Sequence, residues 1–234
     1  MAAIAKAPLR RAKLPPARVP PLANGDRLTA AEFMRRYEST QEDFKAELIN
    51  GITYVMMPAH FEGHGVADSI TNLWLGHYAW KTTGVQHAQN VTTKLSRFDI
   101  PQPDGVLLWK AEKGGQTRRT PDDYLEGAPE LVVEVAASSS NYDMHDKRDA
   151  YLRAGVKEYI VVRTWDKAVS WFILEDDQYI EVQPDKKGVC RSQVFPGLWL
   201  NVPALIALDR AGVLNTLEAG LADRKKRRGD SRRG

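Results

Sequence analysis

The sequence has little cysteine and no long apolar run, and each absence excludes a class of protein. Cys190 is the only cysteine among 234 residues, so the chain cannot form an internal disulfide or a cysteine-ligated zinc cluster. No apolar run approaches the ~20 residues that a membrane-spanning helix needs, and the N-terminus lacks the apolar core of a secretory signal. We therefore expect a soluble protein of the reducing cytoplasm.

The two ends of the chain contain almost no acid. Residues 1–20 hold five basic residues and no acidic one, and residues 221–234 hold seven basic and two acidic residues. Each end thus carries +5, and because the whole chain carries +3, residues 21–220 carry −7. Two interpretations of the basic run 224–228 stay open: a disordered, solubilising tail, or a segment that attracts nucleic-acid phosphates.

The chain is predicted to form one folded domain without internal repeats. Residues 1–27 are rich in proline and alanine with scattered bases, which predicts a disordered basic arm. Residues 28–208 are expected to form the domain. Residues 209–234 are expected to form a C-terminal helical segment followed by the basic tail.

An acidic residue stands in the middle of a predicted buried strand. The run 131–137 is short, rich in β-branched residues and apolar except for Glu134, which is typical of a strand buried on both faces. With a period of two residues, Glu134 shares a face with Val132 and Ala136. Because an unpaired buried carboxylate is very costly, Glu134 needs a cation, a hydrogen-bond donor or a raised pKa.

The neighbouring segments are predicted to bring a lysine and a second acid to the same layer. A helix that ends at Gly155 places Lys147 four residues before the apolar Tyr151, and therefore on its inward side. Upstream, Asp104 comes directly before the apolar run 106–109, at the start of another core strand. Two acids and a lysine are thus expected to converge.

The remaining pattern predicts an α/β (α+β mixed) fold with a mixed central sheet flanked by helices. Thr29 and Glu32 form a capping box at the start of a helix. Asn50-Gly51 joins two apolar runs as a hairpin, with Glu47 on its first strand. Further strands are expected within 85–109, at 159–163 and 168–174, in a hairpin of 178–183 with 188–194, and at 196–202 before a terminal helix.

An amphipathic helix over 62–78 carries His64 near its start. His60 stands four residues earlier, the spacing of half a metal site on a helix, but no third histidine or cysteine stands at a matching distance. Pro58 also favours a position of His60 outside the helix. We therefore expect these histidines to be solvated or to pack the helix, and not to bind zinc.

The order of several short motifs resembles a known family. Along the chain these motifs are ELINGITYVMMP, His64, QPDGVLL, GAPELVVEVAASSS, the set Asp143, Lys147 and Tyr151, then AGVKEYIVV and PGLWL. Over roughly residues 30–205 this order resembles the Uma-type family of putative restriction endonucleases, which is similar in fold to the PD-(D/E)XK nucleases. The resemblance implies a restriction-endonuclease-like core.

The resemblance also implies a metal-dependent active site. Asp104 matches the first acid of the nuclease motif and Glu134 the second, both as ligands of Mg²⁺ or Mn²⁺. Ala136 stands where the usual lysine follows the second acid, and Lys147 matches the basic group that the family supplies from the next helix. Glu47 matches a hairpin acid that joins the metal site. Two further matched positions have accessory roles: His64 and Tyr151.

These matches imply an endonuclease that hydrolyses DNA, with Lys147 positioning the attacking water, and restriction-like nucleases often act as homodimers. Simpler interpretations of the same residues stay open. Asp104 could cap a turn, Glu134 and Lys147 could form a buried ion pair without a metal, and Asp143 and Lys147 a surface pair. At the level of function, the alternatives are an inactive nuclease-like module that binds nucleic acid or assembles with a partner, and a metal hydrolase of small phosphorylated substrates.

Overall fold

The structure is a computed structural model that describes residues 19–41, 43–56, 61–137 and 140–230. Residues 1–18 of the predicted basic arm, His60 and residues 231–234 lie outside these ranges. No helix within them is long and apolar enough to cross a membrane.

The described elements are short strands and six α-helices. The strands are β1 (Ala46–Ile49), β2 (Ile52–Val55), β3 (Val85–Ala88), β4 (Thr93–Lys94), β5 (Gly105–Trp109), β6 (Arg118–Arg119), β7 (Leu125–Glu126), β8 (Leu131–Ala136), β9 (Glu158–Arg163), β10 (Ala168–Glu175), β11 (Gln178–Glu181), β12 (Val189–Arg191) and β13 (Trp199–Asn201). The helices are α1 (Ala30–Tyr37), α2 (Val66–Trp80), α3 (Ser140–Tyr142), α4 (Arg148–Ala154), α5 (Val202–Ile206) and α6 (Arg210–Asp230). Two π-helical turns, Phe61–Gly65 and Asp143–Lys147, precede α2 and α4.

A six-stranded sheet in the order β11-β10-β9-β8-β5-β3 forms the centre of the fold. The pair β8–β9 is parallel, and the other neighbours are antiparallel. The connection between the parallel strands contains α3 and α4, as a crossover between parallel strands requires. The predicted mixed central sheet flanked by helices is therefore confirmed.

Strand β8 separates two apolar layers. Its odd-numbered residues pack with α2 and α6, whereas Val132 and Ala136 pack with Tyr151 of α4. All six residues of the strand are buried, as predicted for a strand covered on both sides. Glu134 therefore faces α4, and any cation that compensates it must come from that side.

The predicted N-cap and hairpin turn at the start of the domain are confirmed, whereas the carboxylate of Glu32 pairs with Arg35 and Arg36. Thr29 is the N-cap of α1 and its side chain accepts a hydrogen bond from Glu32 N at 3.4 Å. Asn50 and Gly51 have φ angles of 52° and 73°, the left-handed pair that a tight two-residue hairpin needs. They connect β1 to β2, whose antiparallel register places Glu47 opposite Tyr54.

The end of the predicted disordered arm is ordered. Leu22 is buried in a small core with α1 and β1, and Gly25 N donates to Thr53 O at 2.8 Å. Residues 19–27 therefore cover the hairpin, because it presents apolar residues that would otherwise contact water.

The predicted hairpin of 178–183 with 188–194 is wrong. Strand β11 pairs with β10, and β12 pairs with β13 in a separate two-stranded sheet. The turn at Asp176 and Asp177, with φ angles of 47° and 62°, returns the chain directly onto β10. Strand β12 therefore pairs with β13. Strand β13 lies within the range 196–202 predicted for the closing strand, so that prediction is confirmed.

Arg224 of α6 is buried, although it belongs to the basic run 224–228, for which both interpretations place the side chains in solvent. Its guanidinium donates to Thr82 Oγ1 at 2.8 Å and to Tyr78 Oη at 3.4 Å. A third hydrogen bond joins Arg224 to Lys81 O at 3.3 Å. Arg224 therefore anchors α6 to the end of α2.

Replacing Arg224 with alanine is expected to lower the free energy of unfolding by about 2–3 kcal/mol, because the partners of a buried charge-assisted hydrogen bond are left unsatisfied. Urea unfolding measures the loss. Lys225→Ala, at the exposed neighbouring position, is the matched control and should change stability by less than about 0.5 kcal/mol. Equal effects of the two variants would contradict the anchoring role.

Candidate active site

Lys147 is the centre of a buried group of charges, here called the lysine cluster. Its Nζ lies 2.9 Å from Glu47 Oε1, 3.0 Å from Glu134 Oε1 and 3.7 Å from Asp143 Oδ1. None of these four side chains is more than 6% exposed. The prediction that Lys147 points inward is confirmed, and three carboxylates meet one ammonium away from water.

Separate elements bring the lysine cluster together. Glu47 comes from β1 and Glu134 from the middle of β8, while Asp143 and Lys147 begin and end the π-helical turn before α4. Such turns are rare and are frequently found at functional sites. Gly155, with a φ angle of 83°, ends α4 as predicted.

Tyr151 supports Glu134 from the same helix. Its hydroxyl donates to Glu134 Oε1 at 2.6 Å, one helical turn beyond Lys147. Burial, together with the nearby carboxylates Glu134 and Glu47, raises the pKa of Tyr151 well above its usual value. Tyr151 therefore keeps its proton and acts as a hydrogen-bond donor.

The lysine cluster holds more acid than its cation neutralises. Burial raises the pKa of Glu134 well above its usual value; Lys147 opposes this rise, and the charges of Asp104, Asp143 and Glu47 add to it. Burial alone would lower the pKa of Lys147, but the surrounding carboxylates outweigh it and the pKa is raised. The ammonium therefore stays charged, and the surplus negative charge is either protonated or compensated by another cation.

Glu47 has one oxygen in use and one without a partner. Its Oε1 accepts from Gln102 N at 2.6 Å and pairs with Lys147. Its Oε2 is buried and has no hydrogen-bond partner within the described residues. Because buried polar atoms are nearly always satisfied, this oxygen marks a position that suits a ligand.

Asp104 lies where the pairing of β5 with β8 ends. Gly105 pairs with Val133, so Asp104 stands opposite Glu134, one position beyond the last pair. Its Oδ2 accepts from Val135 N at 2.7 Å and so replaces a backbone partner of β8. The Asp104 carboxylate thus lies at the end of the β5–β8 pairing.

A second group, here called the histidine cluster, lies on the other side of Asp104. His64 Nε2 is 3.6 Å from Asp104 Oδ1, and one ligand atom each of His64, Asp68 and Asp104 lies within 4.8 Å of the others. Asn72 Nδ2 donates to Asp68 Oδ1 at 2.6 Å, and His87 Nε2 is hydrogen-bonded to Asn72 Oδ1 at 2.9 Å. This side of the site is half-buried and open to a ligand.

Asp68 and Asn72 were not predicted from the sequence. With His64 they are spaced four residues apart, which places them on one side of a helix. That spacing is the signal that could have identified them, although an ordinary solvated helix face has the same pattern.

The predicted site residues thus fall into the two adjoining clusters. Glu47, Glu134, Lys147 and Tyr151 belong to the lysine cluster, and Asp104 and His64 to the histidine cluster. The clusters interact electrostatically. The charge of Asp104 adds to the burial that raises the pKa of Glu134, and the charge of Lys147 opposes the burial that raises the pKa of Asp104. The catalytic and metal-binding roles of these residues stay predictions.

Asp104→Asn is expected to stabilise the metal-free protein above about pH 6. Burial raises the pKa of Asp104 from 3.8 to about 6, although His64 and Val135 N–H oppose the shift. Because the folded-state pKa exceeds the unfolded value, this group's contribution to stability is complete below about pH 4 and is lost as the pH rises through about 6. Asparagine carries no charge and keeps an acceptor for Val135 N, so urea unfolding should show a gain of about 1–3 kcal/mol at neutral pH and none in acid.

The control for replacing a buried aspartate with asparagine is Asp99→Asn. Asp99 is also buried but already accepts from Asn50 N at 2.8 Å and from Ser96 Oγ at 2.7 Å, so its replacement should not stabilise the protein. A gain for Asp104→Asn that does not depend on pH would contradict the assignment.

The fold is nuclease-like, with a mixed central sheet flanked by helices, and Lys147 from the turn before α4 pairs with Glu134 of β8 and Glu47 of β1. A crystal structure described as a putative nuclease belonging to DUF820 from Anabaena variabilis resembles the chain with a TM-score of 0.61 and 13% identity, over 77% of this chain and 98% of that one. At this identity the likeness concerns the fold. The comparison with curated proteins found no match. The chain belongs to the Uma2 family, whose model carries the description "Putative restriction endonuclease" and matches residues 30–203. The resemblance predicted from the motifs is thus confirmed.

Proposed function

We propose that the protein is a divalent-metal-dependent endonuclease that hydrolyses phosphodiester bonds of DNA. The main support is the surplus of acid: Glu47, Glu134 and Asp143 surround Lys147, and Asp104 adjoins them. A bound dication would compensate this charge, as in sites built from carboxylates. Membership of a family described as restriction endonucleases supports the same reaction class.

The residue types suit a hard metal ion, although within the described residues the group whose ligand atoms all lie within 4.8 Å of one another is His64, Asp68 and Asp104, without Glu134 and Glu47. Mg²⁺ and Mn²⁺ prefer oxygen donors, and Asp104, Glu134 and Glu47 would hold the ion, with Glu47 Oε2 as a buried oxygen that lacks another partner within the described residues. The carbonyl of Val135, whose N–H donates to Asp104 Oδ2, is proposed as a further oxygen ligand. When bound, the ion would neutralise charge on the phosphate and supply hydroxide near neutral pH.

The protein's own groups have distinct tasks in this proposal. Lys147 orients Glu47 and Glu134 through its ion pairs and directs positive charge toward the attacking water. Tyr151 fixes Glu134 by donating to Oε1. His64 is 23% exposed, much more than the members of the lysine cluster, and its imidazole beside Asp104 is the proposed proton donor to the leaving oxygen.

Incubation of the purified protein with circular and linear DNA tests the proposal. We expect cleavage with Mg²⁺ or Mn²⁺ and none with a chelator. Isothermal titration of the metal-free protein with Mn²⁺ measures metal binding separately. Metal binding without cleavage of double- or single-stranded DNA would contradict the proposed activity.

The tight pairing of the lysine cluster favours one alternative, a catalytically inactive nuclease-like module that binds nucleic acid or assembles with a partner. The ammonium of Lys147 is already surrounded by carboxylates, and a buried ion pair can be purely structural. This alternative predicts DNA binding that weakens with salt and does not depend on a metal, without cleavage.

A further inference from the structure

Two large aromatic side chains near the site are exposed to water. Phe61 is 79% exposed and Trp165 is 65% exposed. Phe61 begins the π-helical turn that carries His64, and Trp165 lies in the turn between β9 and β10. Two such residues on segments that adjoin one site offer open ring faces on which a flat ligand can stack.

Hydrogen bonds fix the turn of Trp165 to the candidate active site. Thr164 N donates to Ala136 O at 2.9 Å, at the end of the strand that carries Glu134. Thr164 Oγ1 donates to Gly63 O at 2.6 Å, the residue before His64. Thr164, the residue before Trp165, thus connects the end of β8 to the π-helical turn that begins at Phe61. Both aromatic residues therefore lie on segments that meet at Thr164.

Contacts within the protein hold the turn of Trp165. Arg163 and Asp166 form an ion pair at 3.0 Å, and Lys167 N donates to Thr164 O at 3.4 Å. Since the backbone around Trp165 is already ordered, a ligand that stacks on the indole would lose little free energy to ordering this segment.

Exposed lysines near these aromatic residues suit a ligand that combines flat rings with phosphates, although the two clusters beside them are acidic. Lys167 is exposed in the same turn as Trp165, and Lys45 is exposed on the segment before β1, where its charge opposes the burial that raises the pKa of Asp68. Aromatic side chains beside basic ones are the combination by which proteins bind unpaired strands, because each unstacked base offers an open face. A base within a duplex is covered on both faces by its neighbours and offers none.

We propose that Phe61 and Trp165 form a stacking platform for unpaired nucleobases, so that the substrate is a single strand, a strand end or a locally opened duplex. The inference rests on the proposed nuclease function for its choice of nucleic acid. It names the substrate class, because Phe61 belongs to the turn that carries His64 and Trp165 follows Thr164, which bonds to that turn and to the end of β8.

Binding measurements without metal test the platform independently of cleavage. Fluorescence anisotropy would compare a labelled single-stranded oligodeoxynucleotide, the same strand with abasic positions, and the matching duplex, all in chelator. Trp165→Ala is expected to weaken binding of the single strand about tenfold or more, since stacking on one aromatic residue is typically worth that much. Trp165→Phe should retain part of the affinity for the single strand. Trp165→Ala should not change the affinity for the duplex or for the abasic strand.

Trp80→Ala is the matched control. Trp80 is 87% exposed but lies at the far end of α2, about 20 Å along the helix from its start near His64, and its replacement should not change single-strand binding. Equal losses for the single strand, the abasic strand and the duplex would overturn the platform, as would no loss. A change of oligomeric state in Trp165→Ala would assign this surface to contacts between protein copies and also overturn it. If the base-dependent loss is found but the wild type cleaves no DNA, the platform stands and the proposed hydrolysis fails.

Discussion

Glu134→Gln is expected to abolish cleavage and to leave the protein folded. Glutamine has the shape of glutamate and keeps a carbonyl oxygen for Tyr151 Oη and Lys147 Nζ, but it lacks the charge that holds a dication. Loss of several kcal/mol of transition-state stabilisation corresponds to a fall in rate of about a thousandfold or more. Folding should not suffer, because burial raises the pKa of Glu134 and already disfavours its charged form. Cleavage rates and urea unfolding of both proteins measure the two effects.

Glu158→Gln is the matched control for this substitution. Glu158 is a buried glutamate of the neighbouring strand β9, and its carboxylate accepts from Ser192 Oγ and Gln193 N at 2.7 Å each. It contacts neither cluster within the described residues, so the control should lose some stability but retain its rate per folded molecule. Full activity of Glu134→Gln would remove Glu134 from the mechanism, and an equal fall in both variants would point to a general effect of buried glutamine.

Glu134 was predictable because the information about it is local. The strand is short, and its period of two residues determines which side chains share a face, so the burial of Glu134 follows without any tertiary contact. The inward direction of Lys147 also follows from local spacing, since Tyr151 is apolar and one turn away. For Glu134 and Lys147 to meet, the helix that follows β8 had only to cover the face of the sheet on which Glu134 lies.

The histidine cluster was less predictable because it depends on where α2 lies. Asp68 and Asn72 have the appearance of solvated helix residues, and only the packing of α2 against β5 turns them toward Asp104. An added Cβ at Gly105 would lie 2.9 Å from Asn72 Oδ1, so this glycine permits the close approach. A single glycine at the start of an apolar run does not reveal which helix approaches it.

The errors at the C-terminal end have the same origin. Arg224 belongs to a run of five bases, a pattern that normally remains in solvent, but the axis of α6 brings this one member against Tyr78 and Thr82. For β11 and β12, two turn signals compete. The turn at Asp176-Asp177 forms because it adds β11 to the edge of the central sheet. An isolated hairpin of β11 with β12 would be less stable.

Lys147→Met is expected to lower the free energy of unfolding by about 3–5 kcal/mol at neutral pH, because it leaves buried carboxylates without their cation. Methionine is similar in length and fills the apolar path of the lysine stem. Without the ammonium, the folded-state pKa of Glu134, already raised by burial, rises further. A group whose folded-state pKa exceeds its unfolded value contributes stability at low pH and loses it as the pH rises. The destabilisation should therefore be small near pH 4 and grow toward neutral pH, as measured by urea unfolding at several pH values.

Two further variants separate charge from packing. Lys157→Met, at a half-buried position outside the cluster, should have a small effect that does not depend on pH. In the double variant Lys147→Met with Glu134→Gln, one unpaired carboxylate is removed, so the second substitution should restore part of the stability that the first one costs. If the loss in Lys147→Met is the same at every pH and Glu134→Gln restores none of it, Lys147 stabilises the fold by packing alone. In that case the surplus of buried negative charge, and with it the main support for a bound dication, would be absent.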